Sequence, residues 1–267
     1  MEWFEGAILG LVQGLTEFLP VSSSGHLVIA KEIFGIESQD LVFEVTVHAA
    51  TVLATICVFW KEIAALFKGL FRFKWNGETK YIAMILVSMI PVGIVGVCFK
   101  DYVEDFFGSG LMIIGSMLLI TGNLLLLSDS IQKRQASKSK TPEDMNFKSA
   151  IWMGVAQAFA VLPGLSRSGS TIATGLMCGV KKSEVAEFSF LMVLIPVLGE
   201  AFLDVVGGDF AGSAVSMSAL AAGFITAFIS GIFACKLMIN IVKKSKLTYF
   251  ALYCFIVALV CFISTLL

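Results

Sequence analysis

Two short polar runs carry ionisable, hydroxyl and glycine residues inside otherwise apolar surroundings. The first leads from Gln13 and Glu17 through Pro20, Ser22, Ser23, Ser24 and Gly25 to His26, and the second from Pro163 and Gly164 through Ser166, Arg167, Ser168 and Gly169 to Ser170 and Thr171. Arg167 is the most informative residue. A guanidinium in the middle of an apolar helix costs roughly 2.5–3.5 kcal/mol on insertion scales, so it needs an anion to hold. Ser166, Ser168, Ser170 and Thr171 offer hydroxyls, and the backbone N–H groups at Gly164 and Gly169 could approach a ligand closely. The planar fork of arginine grips phosphate oxygens in a bidentate way that lysine cannot. The competing reading is an ion pair with Glu17 or another buried acid.

The first run has complementary chemistry. Gln13 and Glu17, four residues apart, share one face of a short helix. Ser22, Ser23 and Ser24 follow in the break, and His26 opens the next helix. A carboxylate, hydroxyls and an imidazole together supply a general base, a nucleophile and an acid. Serines alone would read as small residues for close helix packing, with a histidine satisfied by a neighbour. Glu17 and His26 flanking a proline break favour the chemical reading. Glu44 and His48 share another face and could line the same cavity, but a histidine that merely hydrogen-bonds a neighbour fits His48 equally well. Glu184 and Glu187 beside Lys181 and Lys182 suit a helix start. Glu200 and Asp204 read as solvated acids near a membrane surface.

The elements that must position these residues follow from composition. The apolar fraction is 57% and only 15% of residues are charged. A soluble domain carries about 25% charged residues, so this chain needs lipid around it. Six segments are long enough to span a bilayer, near 41–60, 80–99, 109–128, 184–205, 214–240 and 247–267. Two further pairs, 3–18 with 24–34 and 149–161 with 169–179, are too short and are split by the polar runs. Proline removes a backbone donor and stops a helix, while serine and glycine suit the turn and the next start. Each pair reads as a re-entrant hairpin, because irregular backbone at membrane depth survives only against protein or a wet cavity. The acidic start Met1-Glu2-Trp3-Phe4-Glu5 does not read as a cleavable signal. The six cysteines are scattered without C-x-x-C spacing and read as small hydrophobes. The net charge of −1 gives no basis for nucleic-acid binding.

The two runs also resemble each other. Gly10-x-x-Gln13, Pro20 and Ser22-x-Ser24-Gly25 match Gly154-x-x-Gln157, Pro163 and Ser166-x-Ser168-Gly169. The whole chain, 1–267, thus reads as one all-α membrane domain of two halves, 1–128 and 149–267, each a hairpin plus three spans, joined by a polar, mobile linker at 129–148. Fifteen of the nineteen basic residues fall in loops that would share the cytoplasmic side. The loops 101–108 and 204–212 carry only acids. With three spans per half, the second half is inverted, and the hairpin tips enter from opposite faces and meet near the midplane.

Gln13-x-x-x-Glu17-Phe18-Leu19-Pro20-Val21-Ser22-Ser23-Ser24-Gly25-His26, with Pro163-Gly164-Leu165-Ser166-Arg167-Ser168-Gly169-Ser170-Thr171, resembles the bacterial undecaprenyl-diphosphate phosphatase family, the bacitracin-resistance BacA/UppP family. The likeness covers the whole chain, including Phe43-Glu44 and Glu187-Phe188-Ser189-Phe190. It implies hydrolysis of a C55 polyprenyl diphosphate to the monophosphate, recycling the carrier for cell-wall polymers. It also implies a divalent cation (magnesium, with calcium the alternative), a multi-pass protein of the bacterial inner membrane, and a reaction centre open to the outer, periplasmic side. Family members carry Glu or Gln at the position of Gln13, and glutamine removes one carboxylate from a metal site that would then rest on Glu17. On this reading Ser23, Ser24 or a water attacks the terminal phosphorus with Glu17 or His26 as base, and Arg167 clamps the phosphates. Gln13, Ser22, Ser24, Gly25, Gly164, Ser166, Ser168, Gly169 and Thr171 complete the cup. A lipid flippase or secondary transporter would use the same architecture, and homo-oligomerisation is left open.

Overall fold

The computed structural model describes residues 1–36, 41–99, 110–139, 141–199, 215–244 and 246–266. The acidic loops expected at 101–108 and 204–212, with Glu200 and Asp204, lie outside them. Among the described residues the chain is helical, with a single isolated bridge between Glu143 and Val180. In chain order the helices are α1 (Trp3–Phe18), α2 (Ser23–Phe34), α3 (Leu41–Val58), α4 (Trp60–Leu70), α5 (Gly77–Cys98), α6 (Gly110–Ser137), α7 (Phe147–Phe159), α8 (Arg167–Met177), α9 (Lys182–Met192), α10 (Met217–Lys244) and α11 (Thr248–Ser264).

Helices α5, α6 and α10 are long and apolar enough to cross a membrane. The outward residues Leu86, Ile90 and Ile94 on α5 and Ile225, Ile229 and Phe233 on α10 recur every four positions and are exposed. An apolar stripe of that spacing suits hydrocarbon rather than water. α11 is a shorter apolar helix of 17 residues. These helices make the chain a multi-pass membrane protein.

One expected span is broken and another ends in a sharp bend. α3 fills the expected segment 41–60 as far as Val58, and α4 then leaves it at 76°. α4 and the turn after it combine exposed Trp60, Phe67, Phe71, Phe73 and Trp75 with Lys61, Lys68, Arg72 and Lys74. Aromatic bodies and basic heads on one short helix suit the membrane–water interface, which is why the chain turns there instead of continuing across. The segment 184–205 breaks at Val193, with a further helical stretch at 194–199.

The linker is more structured than its polarity suggests. α6 runs through Ser137, nine residues past the expected end, and Asp129 caps α11 by accepting from Thr248 N (2.9 Å) and Thr248 Oγ1 (2.6 Å). Beyond it, Glu143 N donates to Gly179 O (2.9 Å), Lys181 N donates to Glu143 O (3.0 Å), and Met145 N donates to Glu184 Oε2 (2.6 Å). Glu184 therefore orders this connection, in keeping with a structural role at the start of α9. Lys181 pairs with exposed Asp144, and that hydrogen bond and charge hold the Asp144 carboxyl below its ordinary range.

Glycine lets α1 approach α10 and α7 approach α5 closely. A Cβ on Gly10 would lie 2.2 Å from Gly223 O of α10, and one on Gly154 of α7 would lie 2.3 Å from Ser88 O of α5. Without glycine neither backbone contact could form.

Candidate active site at the two helix breaks

The breaks are built alike. Ser22 caps α2 by accepting from Gly25 N (3.2 Å), and Ser166 caps α8 by accepting from Gly169 N (3.0 Å). A serine three residues before glycine satisfies an orphan amide at each helix start. Each break is also held from outside. Thr121 Oγ1 of α6 accepts from Ser166 N (3.1 Å), and Cys254 Sγ of α11 donates to Pro20 O (3.6 Å).

The second serine of each cap reaches the other break. Ser168 Oγ donates to Leu19 O (3.0 Å), and Ser24 Oγ accepts from Gly164 N at the longer distance of 3.4 Å. A Cβ on Gly25 would sit 3.4 Å from Gly164 Cα, so the two glycines lie back to back. Gly164 has φ +86°, and a Cβ there would lie 2.9 Å from Ile114 Cα of α6. Only glycine suits that conformation and that contact.

Ser24, Gly25, Gly164 and Ser168 thus join the breaks. The Gly164 and Gly169 amides, expected to face a ligand, are already committed to Ser24 and Ser166. Two strongly polar side chains meet beside this junction. Arg167 Nη2 donates to Glu17 Oε1 across 150 residues of sequence, with 9% of the Glu17 side chain exposed and 26% of the Arg167 side chain. The other Glu17 oxygen, Oε2, accepts from Ser23 Oγ (2.6 Å) and Gln13 Nε2 (2.9 Å). The ion pair weighed as an alternative to an anion clamp therefore exists, and it sits at the mouth of a cavity. That cavity is lined on its polar side by Glu17, Arg167, Ser168, Thr171 and Ser189, and on its apolar side by Phe18, Val52, Phe190 and Val197. Thr171 Oγ1 and Ser189 Oγ share a hydrogen bond of 2.6 Å.

His26 does not join them. Its Nδ1 lies 2.8 Å from Ser22 O and its Nε2 2.8 Å from Tyr253 Oη, and the ring stacks on Tyr253 at 5.5 Å and 11°. A carbonyl accepts only, so Nδ1 carries the proton and the neutral ring's Nε2 accepts from Tyr253. Expected beside Glu17, His26 instead faces α11, where Tyr253 takes its Nε2 while the Ser22 carbonyl holds its Nδ1. His48 takes that place: its Nδ1 is 3.0 Å from Gln13 Nε2 and 3.9 Å from Glu17 Oε2. Glu44, on the same face of α3, pairs instead with Lys31 at 2.6 Å. Thr121 and Tyr253 carried no local signal, since a hydroxyl in an apolar helix reads equally as packing, and Ser189 was visible only within the Glu187–Phe190 part of the family resemblance.

Among the described residues no three His, Cys, Asp or Glu side chains gather around one point. One carboxylate with neutral oxygens still suits magnesium, which keeps several waters and leans on substrate phosphates. Gln13 Oε1 fits that pattern: it is fully buried and has no hydrogen-bond partner.

The chain is thus a multi-pass helical membrane protein in which two helix breaks bring an acid–arginine pair together beside a partly apolar cavity. The chain matches the family described as bacitracin resistance protein BacA over residues 6–260, and it belongs to that family. It is 58% identical over 272 residues to the undecaprenyl-diphosphatase of Parabacteroides distasonis, covering all of both chains. It is 56% identical to the protein of that name in Bacteroides thetaiotaomicron, again over both whole chains, and 56% identical to the one in Bacteroides fragilis over 97% of each.

Proposed function

We propose that this chain hydrolyses undecaprenyl diphosphate to undecaprenyl phosphate and inorganic phosphate in the bacterial inner membrane, recycling the carrier lipid of cell-wall synthesis. One observation carries the mechanism: Glu17, brought by the first break, holds Ser23 on one oxygen and Arg167 of the second break on the other. The terminal phosphoryl group enters beside this pair and Arg167 turns to its oxygens, where a guanidinium neutralises charge that spreads in the transition state. Glu17 then takes the proton from Ser23 Oγ, or from a water in its place, as that oxygen bonds to phosphorus and the bond to the bridging oxygen breaks. Prenyl phosphate leaves with the electron pair. On the serine route, water hydrolyses the phosphoserine to release phosphate and restore Ser23.

Ser23 is favoured over Ser24, whose hydroxyl is engaged with Gly164 and Ser22. Glu17 is favoured over His26 as base because His26 is tied to Ser22 and Tyr253. Magnesium would be held by Glu17, Gln13 Oε1 and the substrate's own oxygens, and it supplies charge neutralisation at the phosphates. The prenyl tail runs along Phe18, Val52, Phe190 and Val197.

Two inverted halves underlie this arrangement. Their support is the pair of matched serine caps and the matched glycine contacts of α1 on α10 and α7 on α5. The reaction centre opens to the outer face, opposite the basic loops. The purified protein should release inorganic phosphate from a prenyl diphosphate. Lipid transfer between vesicle leaflets without phosphate release would instead mark a flippase.

A further inference from the structure

His48 lies outside the two sequence runs, yet it touches Gln13, one of the two side chains that donate to Glu17 Oε2. Gln13 Nε2 stands 2.9 Å from Glu17 Oε2 and 3.0 Å from His48 Nδ1. The orientation of the Gln13 amide is decided by chemistry. With the amide reversed, Oε1 would face a carboxylate oxygen, acceptor against acceptor. The nitrogen must therefore point at Glu17, and its two hydrogens go one to Glu17 and one to His48. It follows that His48 Nδ1 is the acceptor and bears no hydrogen. The 3.9 Å approach of His48 to Glu17 is accordingly a contact relayed by the amide, and not an ion pair.

We propose that His48 is a positioning residue for the phosphatase reaction, acting through Gln13 to hold Glu17 Oε2 against Ser23. The proposal rests on the reading of Glu17 as the base. Gln13 is fully buried. Removing the His48 acceptor would strand one hydrogen of its amide, and a buried unpaired donor is costly enough to turn the side chain away. Glu17 would then keep Ser23 and Arg167 but lose the third contact that fixes its plane. Its oxygens could exchange places, and the proton transfer would no longer be aligned.

The test uses the full chain in detergent, with phosphate release from a prenyl diphosphate as readout. His48→Gln offers an amide oxygen to Gln13 and should keep kcat within about threefold of the parent, whereas His48→Leu offers none and should lower kcat about tenfold or more with KM nearly unchanged. In a Gln13→Leu background the His48→Leu change should add less than about twofold, because the relay is already cut. A residue that only packs would harm both variants alike and would add its full loss in either background. Equal loss in His48→Gln and His48→Leu, full turnover in His48→Leu, or additive losses would each overturn the proposal. Glu17→Gln, assayed alongside, separates the two levels. If it stays active the site assignment itself fails, and if it is dead while His48→Leu is fully active only the role of His48 fails.

Discussion

Arg167→Ala tests whether the pair across the breaks is chemical as well as structural. The substitution leaves a Glu17 carboxylate, 9% exposed, with Ser23 and Gln13 as its remaining donors. Removing one partner of a buried pair costs about 3–5 kcal/mol. Here two hydrogen bonds survive and Arg167 is partly exposed, so a destabilisation near the lower end, about 3 kcal/mol, is expected. Turnover should fall far more, by about a thousandfold, because among the described residues Arg167 is the one basic side chain lining the cavity. The double variant Glu17→Gln with Arg167→Met removes both charges at once. Replacing a buried pair by neutral groups is often neutral for stability, so the double variant should unfold within about 1 kcal/mol of the parent. It should nonetheless release no phosphate. Denaturant unfolding in detergent reads the first quantity, and phosphate release from a prenyl diphosphate reads the second. Turnover that recovers together with stability in the double variant would refute the catalytic assignment, since it would show that the pair serves folding only.

Other perturbations probe the frame around the site. Gly10→Val places a branched side chain where a Cβ alone meets Gly223 O at 2.2 Å; it should loosen α1 from α10 and cost about 1–3 kcal/mol or more in thermal unfolding. Asp129→Ala removes the cap that α6 supplies to α11, and a loss of about 1 kcal/mol is expected in the same assay. Exchanging Lys61, Lys68, Arg72 and Lys74 for Gln should weaken retention of anionic lipid by about 1 kcal/mol per charge, measured by native mass spectrometry, with phosphate release little changed. Chelation with EDTA should suppress phosphate release, and added magnesium should restore it.

Part of this architecture is legible along the chain because it is local. Pro20 and Pro163 lie in the breaks just after α1 and α7, and Ser22 and Ser166 cap the next helices from three residues away, so both breaks are readable from spacing. The apolar spans are readable for the same reason: transfer from water to lipid depends on composition and length, which any window of sequence displays. The breaks at Phe59 and Val193 are less visible, because a continuous apolar run reads as one straight helix. The polarity of 129–148 conceals a helix that packing and the Asp129 cap extend to Ser137.

The sequence by itself determined which residues have the chemistry. An arginine and a carboxylate cannot sit in apolar helices without partners, and that cost is a property of each side chain alone. Only the tertiary structure decided which partners meet. Glu17 and Arg167 are 150 residues apart, and their pairing depends on contacts between the two breaks, Ser168 with Leu19 and Gly164 with Ser24, that no local pattern encodes. Ser23 and His26 share one turn of α2, yet Ser23 reaches Glu17 and His26 reaches Tyr253, because different helices pack beside them. His48, which local reading left open, enters because α3 passes behind Gln13. Helical periodicity says which residues share a face, and the packing of other helices says what that face meets.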